Sequence, residues 1–130
     1  MEQITEDYVS FETALLLKEK GFNVPVRTFY NPKYRGEKVS DGTALINYNA
    51  DPEDGSVLCS APTLQMACKW LREVYDWHIS ILVKKHYGQI CYFTVVENIT
   101  TNKEIYSNTN IANCEQAAEA AIKYCLTNVI

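Results

Sequence analysis

The sequence lacks the segments that direct proteins into or across membranes. No run approaches the roughly 18 consecutive apolar residues that a membrane-spanning helix needs. Residues 1–7, MEQITED, are acidic where a secretory signal would be basic and then apolar. The sequence therefore predicts neither a membrane protein nor a secreted one, and we expect a cytoplasmic location.

The five cysteines also lack the pattern of a metal site or a disulfide framework. No two of them form a Cys-x-x-Cys pair, their number is odd, and neither histidine lies at short ligand spacing from a cysteine. We expect reduced thiols, no metal and no cofactor. Cys68, Cys91 and Cys125 fall in predicted helices or strands, where a cysteine is typically a small buried apolar side chain.

Motifs of the common enzyme classes are missing as well. The chain has no Gly-x-x-x-x-Gly-Lys, Gly-x-Gly-x-x-Gly, Gly-x-Ser-x-Gly or His-Glu-x-x-His. A thiol enzyme would need His78 or His86 beside a cysteine, and neither histidine has a recognisable motif around it. The acidic cluster at Asp51, Glu53 and Asp54 lacks the spacing of a calcium loop and is interpreted as a solvated turn. We therefore expect no catalytic residues, and a small thiol-dependent or hydrolytic enzyme ranks last among three functions.

What the chain does contain is enough apolar material for a folded core. Of its 130 residues 47% are hydrophobic and 22% charged, which is typical of a globular domain and not of a disordered chain. Sixteen Asp and Glu against 12 Lys and Arg count against a general affinity for nucleic acid. We expect a single domain over 1–130, with an N-terminal part at 1–60 and a core at 61–130.

Hydrophobic periodicity predicts an α+β fold. Ser10 is the expected N-cap of a first helix, and Gly21 followed by Phe22 predicts its end in a Schellman motif. Residues 23–60 contain three short runs with strand character separated by turn residues. These runs are 26–30, 44–48 and 56–59, with a mobile middle near 33–41.

The core is predicted to follow the order helix, three antiparallel strands, helix. Ile79, Ile81 and Val83 alternate onto one face of a hairpin, as Cys91, Phe93 and Val95 do. We expect an antiparallel sheet covered on one face by helices. The predicted elements are a helix at 64–75, strands at 77–84 and 89–97 joined by a four-residue connection at 85–88, a short strand at 103–107, and a helix from Asn113 to about 128.

Tyrosine is unusually abundant, with nine copies in the chain. Tyrosine offers contact area at low entropic cost and a polar tip, so it collects at interfaces. Trp70 lies on an apolar flank of the second helix that either the 23–60 segment or a partner could cover. We therefore predict a partner surface formed by Tyr30, Tyr34, Tyr48 and Trp70. The alternative is that the tyrosines pack this segment onto its own domain.

Two regions of the chain contain distinctive motifs: 8–22, with YVSFETA at 8–14 and LLKEKGF at 16–22, and 60–79, with SAPTLQMA at 60–67, KWLREV at 69–74 and HI at 78–79. These regions resemble a group of small proteins found in Bacteroides genomes and their prophages. The helix EQAAEAAI at 115–122 is compatible with the same group. The resemblance implies a prophage or mobile-element source and carries no catalytic residues with it.

The order of elements over 62–128 resembles that of double-stranded RNA-binding domains. Such domains meet phosphates with a basic cluster at the start of the last helix. Here that position, 113–116, is acidic. Lys84, Lys85 and His86 would be the nucleic-acid contacts in this alternative.

The function that the sequence favours is a non-catalytic accessory protein of a prophage or mobile element. It would act by binding a protein partner or by self-association, without membrane or metal. Nucleic-acid binding on the αβββα half is the alternative, and we regard it as unlikely.

Overall fold

The computed structural model describes residues 4–33, 36–50, 57–106 and 111–130. The chain folds into two compact units, Met1–Thr63 and Leu64–Ile130. Helices and two antiparallel three-stranded sheets confirm the α+β prediction, while the single domain over 1–130 stays a prediction. The N-terminal unit contains α1 (Phe11–Glu19), β1 (Val26–Tyr30), β2 (Val39–Ile46) and β3 (Cys59–Ser60). The C-terminal unit contains α2 (Leu64–Tyr75), β4 (Trp77–His86), β5 (Gln89–Asn98), β6 (Glu104–Tyr106), α3 (Cys114–Tyr124) and a π-helical turn (Cys125–Val129).

The first helix begins and ends as its sequence predicts. The Ser10 hydroxyl accepts a hydrogen bond from the Thr13 amide at 3.2 Å, which satisfies one of the free amides of the first turn. Gly21 has a φ of 92°, and the Phe22 amide donates to the Leu17 carbonyl at 2.9 Å. This is the long bond of the Schellman motif, and the Leu17 and Phe22 side chains are both buried.

The N-terminal sheet has the order β2-β1-β3, so β1 is its central strand. Val26, Thr28 and Tyr30 alternate inward along β1, as the two-residue period of a strand requires. The predicted strand at 44–48 in fact starts at Val39, because 39–41 pairs with β1. The expectation of a mobile middle was therefore wrong for these three residues.

The N-terminal unit is closed by pairing between its first and last segments. The Val9 amide donates to the Pro62 carbonyl at 3.0 Å, and Tyr8 forms an antiparallel bridge with Thr63. The Tyr30 hydroxyl donates to the Val9 carbonyl at 2.6 Å, which joins this closure to the central strand.

The C-terminal unit has the predicted αβββα order, and its sheet is a meander β4-β5-β6. The predicted four-residue connection at 85–88 was wrong, because His86 pairs with Gln89 and only two residues remain in the turn. Tyr87 and Gly88 have φ values of 50° and 81°, as a type I′ hairpin turn requires. This turn fits the right-handed twist of the two strands.

The shorter turn decides which side chains share a face of the hairpin. Opposite residues of antiparallel strands point to the same side, and Ile79 pairs with Val96. The two alternating sets found in the sequence therefore lie on opposite faces. The face that contains the buried residues Trp77, Thr94 and Val96 is the helix-covered face. The helix-covered face also contains Ile79, Ile81, Val83, Lys85, Ile90 and Tyr92. The second face contains His78, Ser80, Leu82, Lys84, Cys91, Phe93 and Val95.

Both helices of the C-terminal unit contact its sheet. The last helix begins at the predicted N-cap, where the Asn113 side-chain oxygen accepts from the Gln116 amide at 3.0 Å. Its buried residues are Ala117, Ala118, Ala121 and Ile122, and α2 buries Ala67, Trp70 and Leu71. Within the described residues, no helix is long and apolar enough to span a bilayer.

Candidate protein-binding surface

Exposed apolar side chains cluster at the end of the β4–β5 hairpin. We call residues 82–90 the hairpin tip. Leu82, Val83 and Ile90 are 42%, 63% and 50% exposed, and Tyr87 in the turn is 95% exposed. Val83 and Ile90 lie on the same face as diagonal neighbours across the two strands, within reach of one another.

The hairpin tip is exposed because the hairpin is longer than the rest of its sheet. The strands β4 and β5 have ten residues each, whereas β6 has three and pairs only with 95–97. Beyond this point the only further strand contact in the described part of the chain is the bridge between Tyr92 and Ile111. In the described part of the chain, residues 82–90 therefore pair only within the β4–β5 hairpin, beyond the segment 95–97 that pairs with β6.

Two of the predicted partner-surface residues are tyrosines that pack within the N-terminal unit. Tyr30 is 3% exposed, and its ring meets Phe11 edge to face with 5.4 Å between ring centroids. Tyr48 is half-buried and stacks on Phe29 at 4.4 Å. These contacts favour the alternative in which the tyrosines hold this segment to its own fold.

The other two residues of the predicted partner surface are Trp70 and Tyr34. Trp70 is 6% exposed, and its ring meets Tyr75 edge to face at 5.2 Å. Tyr34 lies outside the described residues. The partner surface of these four residues stays a prediction, with the rings of Tyr30 and Trp70 in the interior.

The predicted nucleic-acid contacts Lys84, Lys85 and His86 belong to the hairpin tip, and the two lysines lie on different faces of the hairpin. Lys84 and Lys85 are exposed, and His86 is the last residue of β4. Consecutive residues of a strand point to opposite faces, so the two ammonium groups leave the hairpin on different sides. Glu115 occupies the first turn of α3, where a double-stranded RNA-binding domain would be basic.

The buried thiols are poor nucleophiles. Burial raises the pKa of Cys68 to about 11 and that of Cys125 to about 12, and the neighbouring Cys68 adds to the rise at Cys125. Burial also raises the pKa of Cys59, although the Lys18 charge and a backbone hydrogen bond from Tyr30 oppose it. At neutral pH these side chains are thiols and not the thiolates that attack a substrate.

The described residues do not provide the ligand cluster that a metal centre needs. No group of three or more His, Cys, Asp and Glu side chains converges in the described ranges. The acidic cluster at Asp51, Glu53 and Asp54 lies outside them.

Sequence reasoning missed the hairpin tip because its residues have the pattern of a core. Val83 and Ile90 belong to alternating apolar runs, which predict burial when each strand has neighbours along its whole length. The sequence signal that could have indicated the hairpin tip is the length of the predicted third strand, which was only about half the length of the first two.

Comparisons of the chain with protein-family models, with curated proteins and with solved structures found no match.

Proposed function

We propose that this chain is a non-catalytic accessory protein that binds a protein partner or a second copy of itself. The observation that carries the proposal is the exposed apolar cluster of the hairpin tip. Single exposed apolar residues are common on soluble proteins, but clusters of them typically mark sites of interaction. Val83, Tyr87 and Ile90 form such a cluster at the end of the β4–β5 hairpin.

The composition of the hairpin tip is also that of an interface. Branched aliphatic side chains lie beside a tyrosine, and Lys85 lies on the same face as Val83 and Ile90, whereas Lys84 lies on the other face. Protein interfaces combine an apolar and aromatic centre with a charged rim in this way. Binding would cover the apolar area of Val83 and Ile90 and leave the Lys85 ammonium group at its margin.

The cellular setting of the proposal comes from the sequence. The resemblance of 8–22 and 60–79 to small Bacteroides and prophage proteins supports an accessory role in a mobile element within the cytoplasm. The raised pKa values of Cys68 and Cys125 support a function without covalent chemistry.

The experiment compares two isoleucines of nearly equal exposure. Ile90 lies in the hairpin tip and is 50% exposed, whereas Ile99 follows β5 at the other end of the hairpin and is 52% exposed. Tagged wild-type, Ile90→Ser and Ile99→Ser proteins are incubated with extract of the source cell, and bound proteins are quantified. Self-association is measured in parallel by sedimentation velocity.

We expect Ile90→Ser to reduce partner capture or self-association about tenfold, the loss typical of a central interface residue. Ile99→Ser should leave both unchanged. Equal behaviour of the two variants in both measurements would show that the hairpin tip is not the binding surface.

A further inference from the structure

One edge of β4, on the side away from β5, has no strand paired with it in the described residues, and we call it the open edge. The strand is ten residues long, its register with β5 is unbroken by a bulge, and 77–83 contains no proline and no charged residue. Natural sheets usually protect such an edge with proline, a bulge or a charge in the middle of the strand.

The residues whose backbone groups point outward can be identified. The Ile99 amide donates to the Asp76 carbonyl at 2.8 Å, so the hydrogen-bonded ladder with β5 extends back to residue 76. Antiparallel ladders bond alternate residues, so the even-numbered residues of β4 bond to β5. The amides and carbonyls of Trp77, Ile79, Ile81 and Val83 therefore point to the open edge.

The two ends of this edge have opposite charges. Asp76 precedes β4 with a φ of 63°, and its exposed carboxylate accepts a hydrogen bond from the Thr100 hydroxyl at 3.1 Å. Lys84, the eighth residue of β4, is also exposed. An antiparallel arrangement of two identical strands places the start of each strand against the end of the other. Opposite charges then meet twice, whereas a parallel arrangement would place like charges side by side.

We propose that two copies of this chain pair antiparallel through β4, about a two-fold axis at Ser80. This inference rests on the self-association branch of the proposed function and names its interface. A two-fold axis perpendicular to the sheet requires that the numbers of any two facing residues have an even sum, because facing residues point to the same side of the sheet. The register centred on Ser80 places Asp76 of each copy opposite Lys84 of the other.

The same register also uses every outward backbone group between Trp77 and Val83. Ile79 pairs with Ile81 of the second copy and Trp77 with Val83, each as a hydrogen-bonded pair. A shift of the centre by one residue to Ile81 places Lys84 opposite His78 and loses the charge pairs. The chain thus selects both the orientation and the register, and the two three-stranded sheets join into one of six strands.

The first test reverses one charge. Sedimentation velocity over a wide range of concentrations, up to hundreds of micromolar, gives the dissociation constant of the wild-type dimer. Lys84→Glu places like charges opposite each other at both ends, and we expect the dissociation constant to rise about tenfold. Lys103→Glu is the matched control, because this exposed lysine precedes β6, on the other side of the sheet from β4, and lies outside the hairpin tip.

A rescue and a cross-link fix the register. Asp76→Lys combined with Lys84→Glu exchanges the charges and should restore the wild-type dissociation constant.

Ser80→Cys places two thiols face to face at the axis, and oxidised glutathione should take two electrons from them and form an intermolecular disulfide. His78→Cys should cross-link much less, and the wild-type protein shows the background of the native cysteines. Circular dichroism confirms that each variant is folded; if the charge exchange fails to fold, the cross-link comparison decides.

Three results would overturn the pairing. They are a wild-type protein that remains monomeric over the whole range, equal effects of Lys84→Glu and Lys103→Glu, or equal cross-linking through positions 78 and 80. A monomeric protein that still captures a partner through Ile90 would contradict the β4 pairing and leave the proposed function intact. Loss of the Ile90 effect with β4 pairing retained would contradict only the role of the hairpin tip.

Discussion

Gly42 in β2 is the residue where the N-terminal sheet has no room for a side chain. A Cβ at this position would overlap the Tyr48 hydroxyl and lie 3.0 Å from the Arg27 carbonyl oxygen. The Tyr48 ring cannot move aside without leaving its stack on Phe29. We expect Gly42→Ala to lower the free energy of unfolding by about 1–3 kcal/mol through overpacking. Urea unfolding followed by circular dichroism measures this loss.

A double-mutant cycle tests the cause. Tyr48→Phe removes the overlapping hydroxyl, so the loss from Gly42→Ala should be smaller in the Tyr48→Phe background. A Gly42→Ala protein as stable as its parent, or a loss that Tyr48→Phe does not change, would contradict the account.

Two thiols of the C-terminal unit, those of the buried Cys125 and the half-buried Cys68, make its stability depend on pH. The folded pKa values of Cys68 and Cys125 are about 11 and about 12, above the 9.0 of a free thiol. Both groups therefore stabilise the fold fully below pH 9, and this stability is lost as pH rises from 9 through the folded values. At pH 10 the loss is about 1 kcal/mol for each thiol.

The measurement compares wild type with Cys125→Ala by urea unfolding at pH 8 and pH 10. The two tryptophans of the chain, Trp70 and Trp77, both lie in the C-terminal unit, so their fluorescence follows that unit. The variant should lose less stability than wild type between the two pH values. Identical losses would show that the Cys125 thiol does not contribute.

At the scale of elements, the β4–β5 turn places a tyrosine where another residue would suit the backbone better. Tyr87 has a φ of 50°, and Asn is strongly preferred over Tyr at this position of a type I′ turn. We expect Tyr87→Asn to raise the free energy of unfolding of the C-terminal unit by roughly 0.5–1 kcal/mol. Tryptophan fluorescence in urea measures it.

The same substitution should weaken binding, because Tyr87 is the most exposed of the large apolar and aromatic residues of the hairpin tip. A protein that is more stable and binds less would show that tyrosine is retained for contact and not for the turn. Gly88→Ala is the control, since it should destabilise the turn at a φ of 81° without removing an apolar side chain.

Elements with local signals were predictable, and those decided by distant neighbours were not. The capping residues Ser10, Gly21 and Asn113 mark their helix ends within a few residues of sequence. By contrast, the strand at 39–41 depends on β1, whose paired residues lie nine or more positions away. Its Asp41-Gly42 pair also has the appearance of a turn. The hairpin tip was missed for the same reason, since the exposure of Val83 depends on the length of β6.

At the scale of the whole molecule, the acidic charge belongs to one unit. Residues 1–63 contain six basic and ten acidic residues, and 64–130 contain six of each. The whole net charge of −4 is therefore that of the N-terminal unit, and the αβββα unit is neutral. Neutrality removes the general argument against nucleic acid, but Lys84 and Lys85 still leave the hairpin on opposite faces.

We therefore expect no saturable binding of duplex RNA, even at low salt where phosphate contacts are strongest. Filter binding with wild type and with the Lys84→Glu, Lys85→Glu double variant measures this. Saturable micromolar binding that the double variant abolishes would establish the nucleic-acid alternative.

The pairing of Val9 with Pro62 has a consequence for how the protein is made. The N-terminal unit can be completed only after the ribosome has synthesised Pro62, because β3 and the closing bridge come last. At typical rates of synthesis this delay after Val9 is about 3–10 s. During that time β1 has apolar side chains and no partner on its β3 side, so this segment of the nascent chain is the one that chaperones would be expected to bind.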